Sequence, residues 1–164
     1  MTELVVRYAK FVIAFALAWG LLYFWTSCSY KEIKGKEMAP TLPPGKNYWV
    51  LIKERTPDTL NTGDIVAFEY ALPGLSDKES VRAGRIYGMP GHRVKMIKGE
   101  LWVNGQKTGT AGTPIGKPDE NFEEIIVPRD SYFILMDNRE IGATLDSRAI
   151  GPLGVGAVLG KVKK

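Results

Sequence analysis

The chain has 164 residues, room for one domain with an appendage. Its 22 Lys and Arg against 18 Asp and Glu leave a net charge of +4, too small and dispersed an excess for nucleic-acid binding. Apolar residues at 45% exclude wholesale disorder, and one Cys with one His excludes a disulfide framework or a Cys/His zinc site.

The first element is apolar. Phe11 to Cys28, FVIAFALAWGLLYFWTSC, carries no charge. As a helix it spans about 27 Å, close to a bilayer core of roughly 30 Å. Arg7 and Lys10 flank one end, and Lys31, Lys34 and Lys36 the other; Tyr23, Trp25 and Tyr30 sit where interfacial aromatics belong. A transmembrane anchor over residues 1–30 is the leading reading. A cleaved signal peptide competes with it, but TSCSY is a poor small-x-small cleavage site. A lipoprotein cysteine at Cys28 is disfavoured by bulky Trp25 just upstream. A buried globular helix fits badly, because the segment is apolar all round. Charge leaves the orientation open: Arg7 and Lys10 oppose Lys31, Lys34, Lys36 and Lys46, and a large domain can be translocated against such a bias. The single Cys does not settle the compartment.

Short strands and turns follow. The candidate strands are residues 47–53, 64–70, 81–88, 92–98, 101–107, 123–128, 131–136 and 154–162. Their β-branched and aromatic residues alternate or run between Gly and Pro turns. Asn104-Gly105 signals a type I′ hairpin. Residues 71–79 and 108–122 read as surface loops, and no helical period is found after residue 30. His92 reads as a solvated loop residue. No Gly-rich phosphate loop or His-x-x-x-His pair is present, and no metal or cofactor is expected. The expected fold is mainly β: the anchor, then an antiparallel β-domain over residues 31–164.

A set of motifs in fixed order is more specific. The chain contains EMAPTLPPG (37–45), GDIVAF (63–68), RIYGMPGHRV (85–94), LWVNGQ (101–106), VPRDSYFILMDNR (127–139) and DSRAIG (146–151). This series resembles the type I signal peptidase family, membrane-anchored serine peptidases of the Ser/Lys class. The resemblance implies a domain of two antiparallel sheets held outside the cytoplasmic membrane, with its apolar face near the lipid. It also implies a secreted polypeptide as substrate or partner.

The departures fall on the chemistry. The position of the family nucleophile, three residues before the Pro of P-T-L, is Glu37. The position of the general base, before the Arg of R-hydrophobic-x-G, is Gly84. A serine hydroxyl needs a base at neutral pH, and a lysine serves only if desolvation keeps it neutral. Glycine has no side chain to take a proton. The second serine of several family members, which helps bind the oxyanion, is Gly35 here. Met136 replaces the glycine before D-N-R, and His92 the aspartate of P-G-D. The segment EIGATL (140–145) is longer than its family counterpart and lacks the serine that steadies the lysine.

The resemblance places Gly35, Met38, Pro40 and Arg82 beside a polypeptide in the cleft. It makes Asp137, Asn138, Arg139, Asp146 and Arg148 structural residues around it, pinning loops by charge-assisted contacts. Arg82 lies two residues before Gly84, hence on the same strand face. It cannot act as a base, but it can pair with Glu37. The space once held by the lysine is expected to be empty.

Three functions are weighed. The first is an inactive signal-peptidase homologue that binds an extended secreted or pilin-like polypeptide in secretion or pilus assembly, with a catalytically active relative as a possible further partner. The second is an active signal peptidase or conjugative pilin-maturation peptidase with a rearranged dyad. The third is a structural membrane component. In each the protein is a single-pass protein of the cytoplasmic (inner) membrane, with its C-terminal domain on the outer, periplasmic side.

Overall fold

A computed structural model describes residues 2–69, 81–108, 120–138, 141 and 145–163. The expected loop 71–79, most of 108–122, and Arg139 lie outside these residues. Helix α1 (Thr2–Ser27) opens the chain. Its segment Val5–Ser27 is long and apolar enough to cross a membrane, and none of its most apolar stretch is buried in the protein.

The chain passes from Ser27 directly into strand β1 (Cys28–Ile33). Within the expected anchor segment 1–30, Cys28, Ser29 and Tyr30 are strand. They are drawn into the sheet by full antiparallel pairing with β2 (Lys46–Leu51), from Cys28 opposite Leu51 to Ile33 opposite Lys46. The remaining strands are β3 (Ile65–Phe68), β4 (Arg82–Gly88), β5 (Arg93–Ile97), β6 (Glu100–Val103), β7 (Gln106–Thr108), β8 (Phe122–Ile126), β9 (Ser131–Leu135), β10 (Leu153–Gly154) and β11 (Val158–Lys163). One sheet has the order β1-β2-β11-β3-β4-β9-β10 and the other the order β7-β6-β5-β8. Every pairing in both is antiparallel, as expected of the two-sheet fold.

Strand β9 explains why 131–136 is an unbroken apolar run. Tyr132, Ile134 and Met136 enter one core with Met38, Leu42, Val66, Phe68 and Ile86. Phe133 and Leu135, on the opposite face, enter a second core with Val94, Met96, Leu101 and Val103. A strand buried on both faces loses the apolar–polar alternation of a half-exposed one. Asn104 and Gly105 have φ of 51° and 78°, the positive values that a type I′ hairpin between β6 and β7 requires.

Two expectations need correction. The region after residue 30 does hold helix: α2 (Ser147–Ile150) is a single turn. It forms because Asp146 caps it, accepting from the Arg148 amide at 3.0 Å. A 3-10 turn over Val155–Ala157 likewise delays the last strand to Val158. His92 is only partly solvated: it is half-buried and its Nδ1 is fully covered. Its backbone joins the turn before it to Val127, whose amide donates to His92 O at 2.9 Å.

Tyr132 is fully buried and donates to Arg55 O at 3.0 Å. Burial, helped by the negative charge of Asp58, pushes its phenol up to about 12. A raised acid pKa favours the protonated folded state, so this contribution is complete below pH ~10 and is lost as pH rises through ~12. An absorbance titration of phenolate should show one tyrosine ionising near pH 12, and that step should vanish in Tyr132→Phe.

Candidate functional site

The site is built on the loop between β1 and β2. Ile33 O accepts from Gly45 N at 2.9 Å, which closes the loop, while Leu42 N donates to Met38 O at 2.9 Å within it. Met38 and Leu42, at 1% and 0% exposure, sink its middle into the core. Met38, expected beside a polypeptide, is packed in the core. Its Sδ accepts from Asp137 N at 3.3 Å, and Glu37 O accepts from Asn138 N at 2.7 Å. These two bonds fix the loop to the segment after β9. Pro40, expected beside a polypeptide, is exposed.

This anchoring aims the Glu37 side chain at the start of β4. Arg82 Nη1 donates to Glu37 Oε1 at 2.6 Å, with the side chains 21% and 10% exposed. The pairing anticipated from strand parity is thus present. Gly35 makes room for it: a Cβ at residue 35 would overlap the Glu37 carboxylate. The second serine position and the acid at the nucleophile position therefore compete for one volume, and glycine at 35 settles the competition for the acid.

The space beside Gly84 is not empty, contrary to the expectation. A Cβ there would overlap Ile134 Cγ2, and it would also lie 3.3 Å from Phe68 Cε1 and 3.4 Å from Leu135 O. Ile134 comes from β9, next to β4 in the sheet, and is 1% exposed. An apolar branch fills the volume that a residue-84 side chain would enter.

The surrounding charges pin this frame. Arg85 grips Asp137 with two bonds, Nε to Oδ1 at 3.0 Å and Nη2 to Oδ2 at 2.6 Å, and also donates to Gly63 O at 2.9 Å. Hydrogen bonding to Asp137 holds the Arg85 guanidinium above its ordinary value. Asp146, 1% exposed, accepts from Met136 N at 3.2 Å and from Arg148 Nη2 at 2.8 Å. Arg148 also reaches Glu120 at 3.3 Å. Burial pulls the Arg148 guanidinium down, but its bonds and charge pairing with Asp146 and Glu120 outweigh that and hold it above its ordinary value. Ser147 Oγ accepts from Ile134 N at 2.9 Å. Asp137, Asn138, Asp146 and Arg148 thus hold the loops around the site; Arg139 lies outside the described residues.

The chemistry of this arrangement is limited. A carboxylate paired with a guanidinium is a weak nucleophile, and an arginine stays protonated. Ser27 Oγ donates to Tyr23 O at 2.5 Å within the helix, away from the loop. Reading the motifs missed Ile134, Ser147 and the partner of Arg85. The signal for Ile134 is the β4–β9 register, which opposes residues about fifty apart and leaves no mark in local sequence.

Comparison with known proteins follows this geometry. The family model described as signal peptidase, peptidase S26, matches residues 4–164. A signal peptidase IB of Staphylococcus aureus (strain COL) is 29% identical over 174 aligned positions, covering 93% of this chain and 86% of the relative. A signal peptidase I P of Bacillus subtilis subsp. natto is 29% identical over 125, covering 71% and 63%. A crystal structure of a signal peptidase I from Enterococcus faecalis V583 superposes with a TM-score of 0.47 at 24% identity, covering 63% of this chain and 97% of that one.

Proposed function

The chain belongs to the signal peptidase family, peptidase S26, and we propose that within it the protein binds polypeptides without cleaving them. Family membership implies membrane association and secreted polypeptide substrates. In our reading α1 is the single membrane span, residues 31–164 are the polypeptide-binding domain on the outer side, and the cleft receives an extended secreted or pilin-like segment. The role is in secretion or pilus assembly, alongside an active relative that does the cutting.

The observation that carries this reading is the replacement of both reacting groups by packed structure. The Glu37–Arg82 pair stands at the nucleophile position, and Ile134 Cγ2 fills the volume next to Gly84. Polypeptide binding draws support from the sheet. β3 pairs with β4 from Arg82 to Arg85, whereas β9 pairs with it from Arg85 to Gly88. Among the described residues no strand pairs with 82–84 on the β9 side; in our reading an extended segment adds there, reaching it past half-buried Arg82.

The test is a preprotein assay on the full chain in detergent. The wild type should release no signal-peptide fragment above the enzyme-free rate and take no label from serine-acylating inhibitors. Immobilised, it should retain the uncleaved preprotein. Fragment release, or acylation at Ser27, Ser29 or Ser131, overturns the non-cleaving reading; failure to retain the preprotein overturns the binding role.

A further inference from the structure

We propose that Arg82 makes the edge of β4 selective for a carboxylate: Glu37 holds one side of its guanidinium, and the other side takes an acidic group on the extended segment that adds beside residues 82–84. The proposal rests on the polypeptide-binding reading above.

A guanidinium offers five N–H donors in a planar fork, and its Nε–Nη2 edge matches the two oxygens of a carboxylate. Two arginines around the site use the whole fork. Arg148 gives its Nε–Nη2 edge to Asp146, at 3.0 and 2.8 Å, and its Nη1 to Glu120 at 3.3 Å. Arg85 gives the same edge to Asp137, at 3.0 and 2.6 Å, and its Nη1 to Gly63 O at 2.9 Å. Each holds a carboxylate on the edge and a second acceptor on Nη1. Arg82 has the second acceptor alone. Its Nη1 donates to Glu37 Oε1 at 2.6 Å, and among the described residues no group accepts from its Nε or Nη2.

Arg148 also shows that one guanidinium in this chain carries two acids at once, an inner one at 0% exposure and an outer one at 24%. Glu37 is the inner acid of Arg82, and the loop that carries it is fixed by the bond from Asn138 N to Glu37 O at 2.7 Å. The outer acid is the one to be supplied. Arg82 stands at the start of β4, opposite Phe68 of β3 on one side. On the other side, pairing with β9 begins only where Arg85 meets Leu135. A segment added between these points passes the guanidinium, whose side chain at 21% exposure is neither sealed nor fully hydrated.

The local charge has the matching sign. The loop between β1 and β2 carries exposed Lys34 and Lys36 and one acid, Glu37, which Arg82 neutralises. The field at this end of the edge is therefore positive, which favours an anionic segment and disfavours a basic one. The carboxylate can be an Asp or Glu side chain within the segment or the free C-terminus of a polypeptide already cut. Both present the same two oxygens.

The test measures binding of fluorescent Ala/Val peptides to the full chain in detergent. One set, blocked at both ends, carries a single Asp moved along the peptide; a matched set carries Asn; a further peptide has no acidic side chain but a free C-terminal carboxylate. The best acidic peptide, Asp or free C-terminus, should bind at least about tenfold more tightly than the blocked Asn match, and high salt should shrink the ratio. Whether the Asp set or the free C-terminus shows the gain identifies the source, and either gain supports the site. Glu37→Gln removes the competing acid and keeps Arg82. It should tighten the acidic peptide at least about threefold and leave the Asn peptide unchanged, whereas a purely structural pair would weaken both alike. The double variant Glu37→Leu/Arg82→Met should bind acidic and Asn peptides equally. Equal affinities of all the peptides for wild type overturn the carboxylate site and leave the binding role standing. A preference for acid that survives the double variant overturns the assignment to Arg82, and no tightening in Glu37→Gln overturns the arrangement of two acids on one guanidinium. If no peptide binds, strand addition beside residues 82–84 falls, and the carboxylate site with it.

Discussion

Replacing Arg82 with Met should destabilise the domain by about 3 kcal/mol, because it leaves the Glu37 carboxylate buried without a partner. Glu37→Gln should be milder, about 1–2 kcal/mol. The difference follows from exposure: the Glu37 side chain is 10% exposed, whereas that of Arg82 is 21% exposed and has a long stem that can swing to water. The double variant Glu37→Leu/Arg82→Met should come close to wild type, since a buried pair exchanged for apolar side chains is often neutral. Urea denaturation of wild type, Glu37→Leu, Arg82→Met and the double variant in one detergent gives the cycle, with Glu37→Gln measured beside it. The pair shares its space with Gly35, where any Cβ would overlap the carboxylate, so effects at 35, 37 and 82 should be non-additive. An Arg82→Met chain within about 0.5 kcal/mol of wild type would mean that the pair behaves like a surface ion pair and that the site is not closed.

The Glu37–Arg82 contact was readable from sequence because it needed only two facts: motif order put residues 37 and 84 at one site, and strand parity put 82 on the face of 84. The strands were readable for the same kind of reason, since residues 64–70 and 92–98 show their pattern locally. Residues 28–33 did not, because Cys28 and Ser29 close an apolar run and nothing in CSYKEI outweighs it; only pairing with β2 makes them strand. The turn over Ser147–Ile150 is too short to show a period, and it exists because Asp146 caps it. Ile134 was invisible for a different reason. Its position in SYFILM identifies a core residue, but which cavity it fills depends on the register of β9 against β4 and on the missing side chain at Gly84. Where residue 84 carries no side chain, close packing draws in the nearest apolar branch, Ile134 Cγ2. The ring contact of Tyr30 and Trp49 is similarly non-local, because the two residues become neighbours only through the six-pair register of β1 and β2.

Restoring the two family residues alone, as Glu37→Ser/Gly84→Lys, should give a chain that is inactive and more than about 3 kcal/mol less stable than wild type. Three effects add in the same direction. The new side chain at 84 must displace Ile134 Cγ2 in a core position that is 1% exposed, an overpacking of about 1–3 kcal/mol. The stem of the new side chain starts against Ile134 and Phe68, and its amine enters a site from which the Glu37 carboxylate has been removed. Arg82, deprived of Glu37, is left half-buried beside a second cation. Adding Ile134→Ala removes the obstructing branch, and the triple variant should regain about 1–2 kcal/mol over the double one. It should also be the first chain in the series to cleave a preprotein above the enzyme-free rate, because a neutral lysine can then reach the introduced hydroxyl. Urea denaturation and the preprotein assay, run on the same samples, separate the two effects. If the double variant is as stable as wild type and already cleaves, Ile134 is no barrier and inactivity rests on residues 37 and 84 alone. If wild type cleaves and Glu37→Gln abolishes that cleavage, Glu37 is a catalytic residue and the paired carboxylate belongs to a working site.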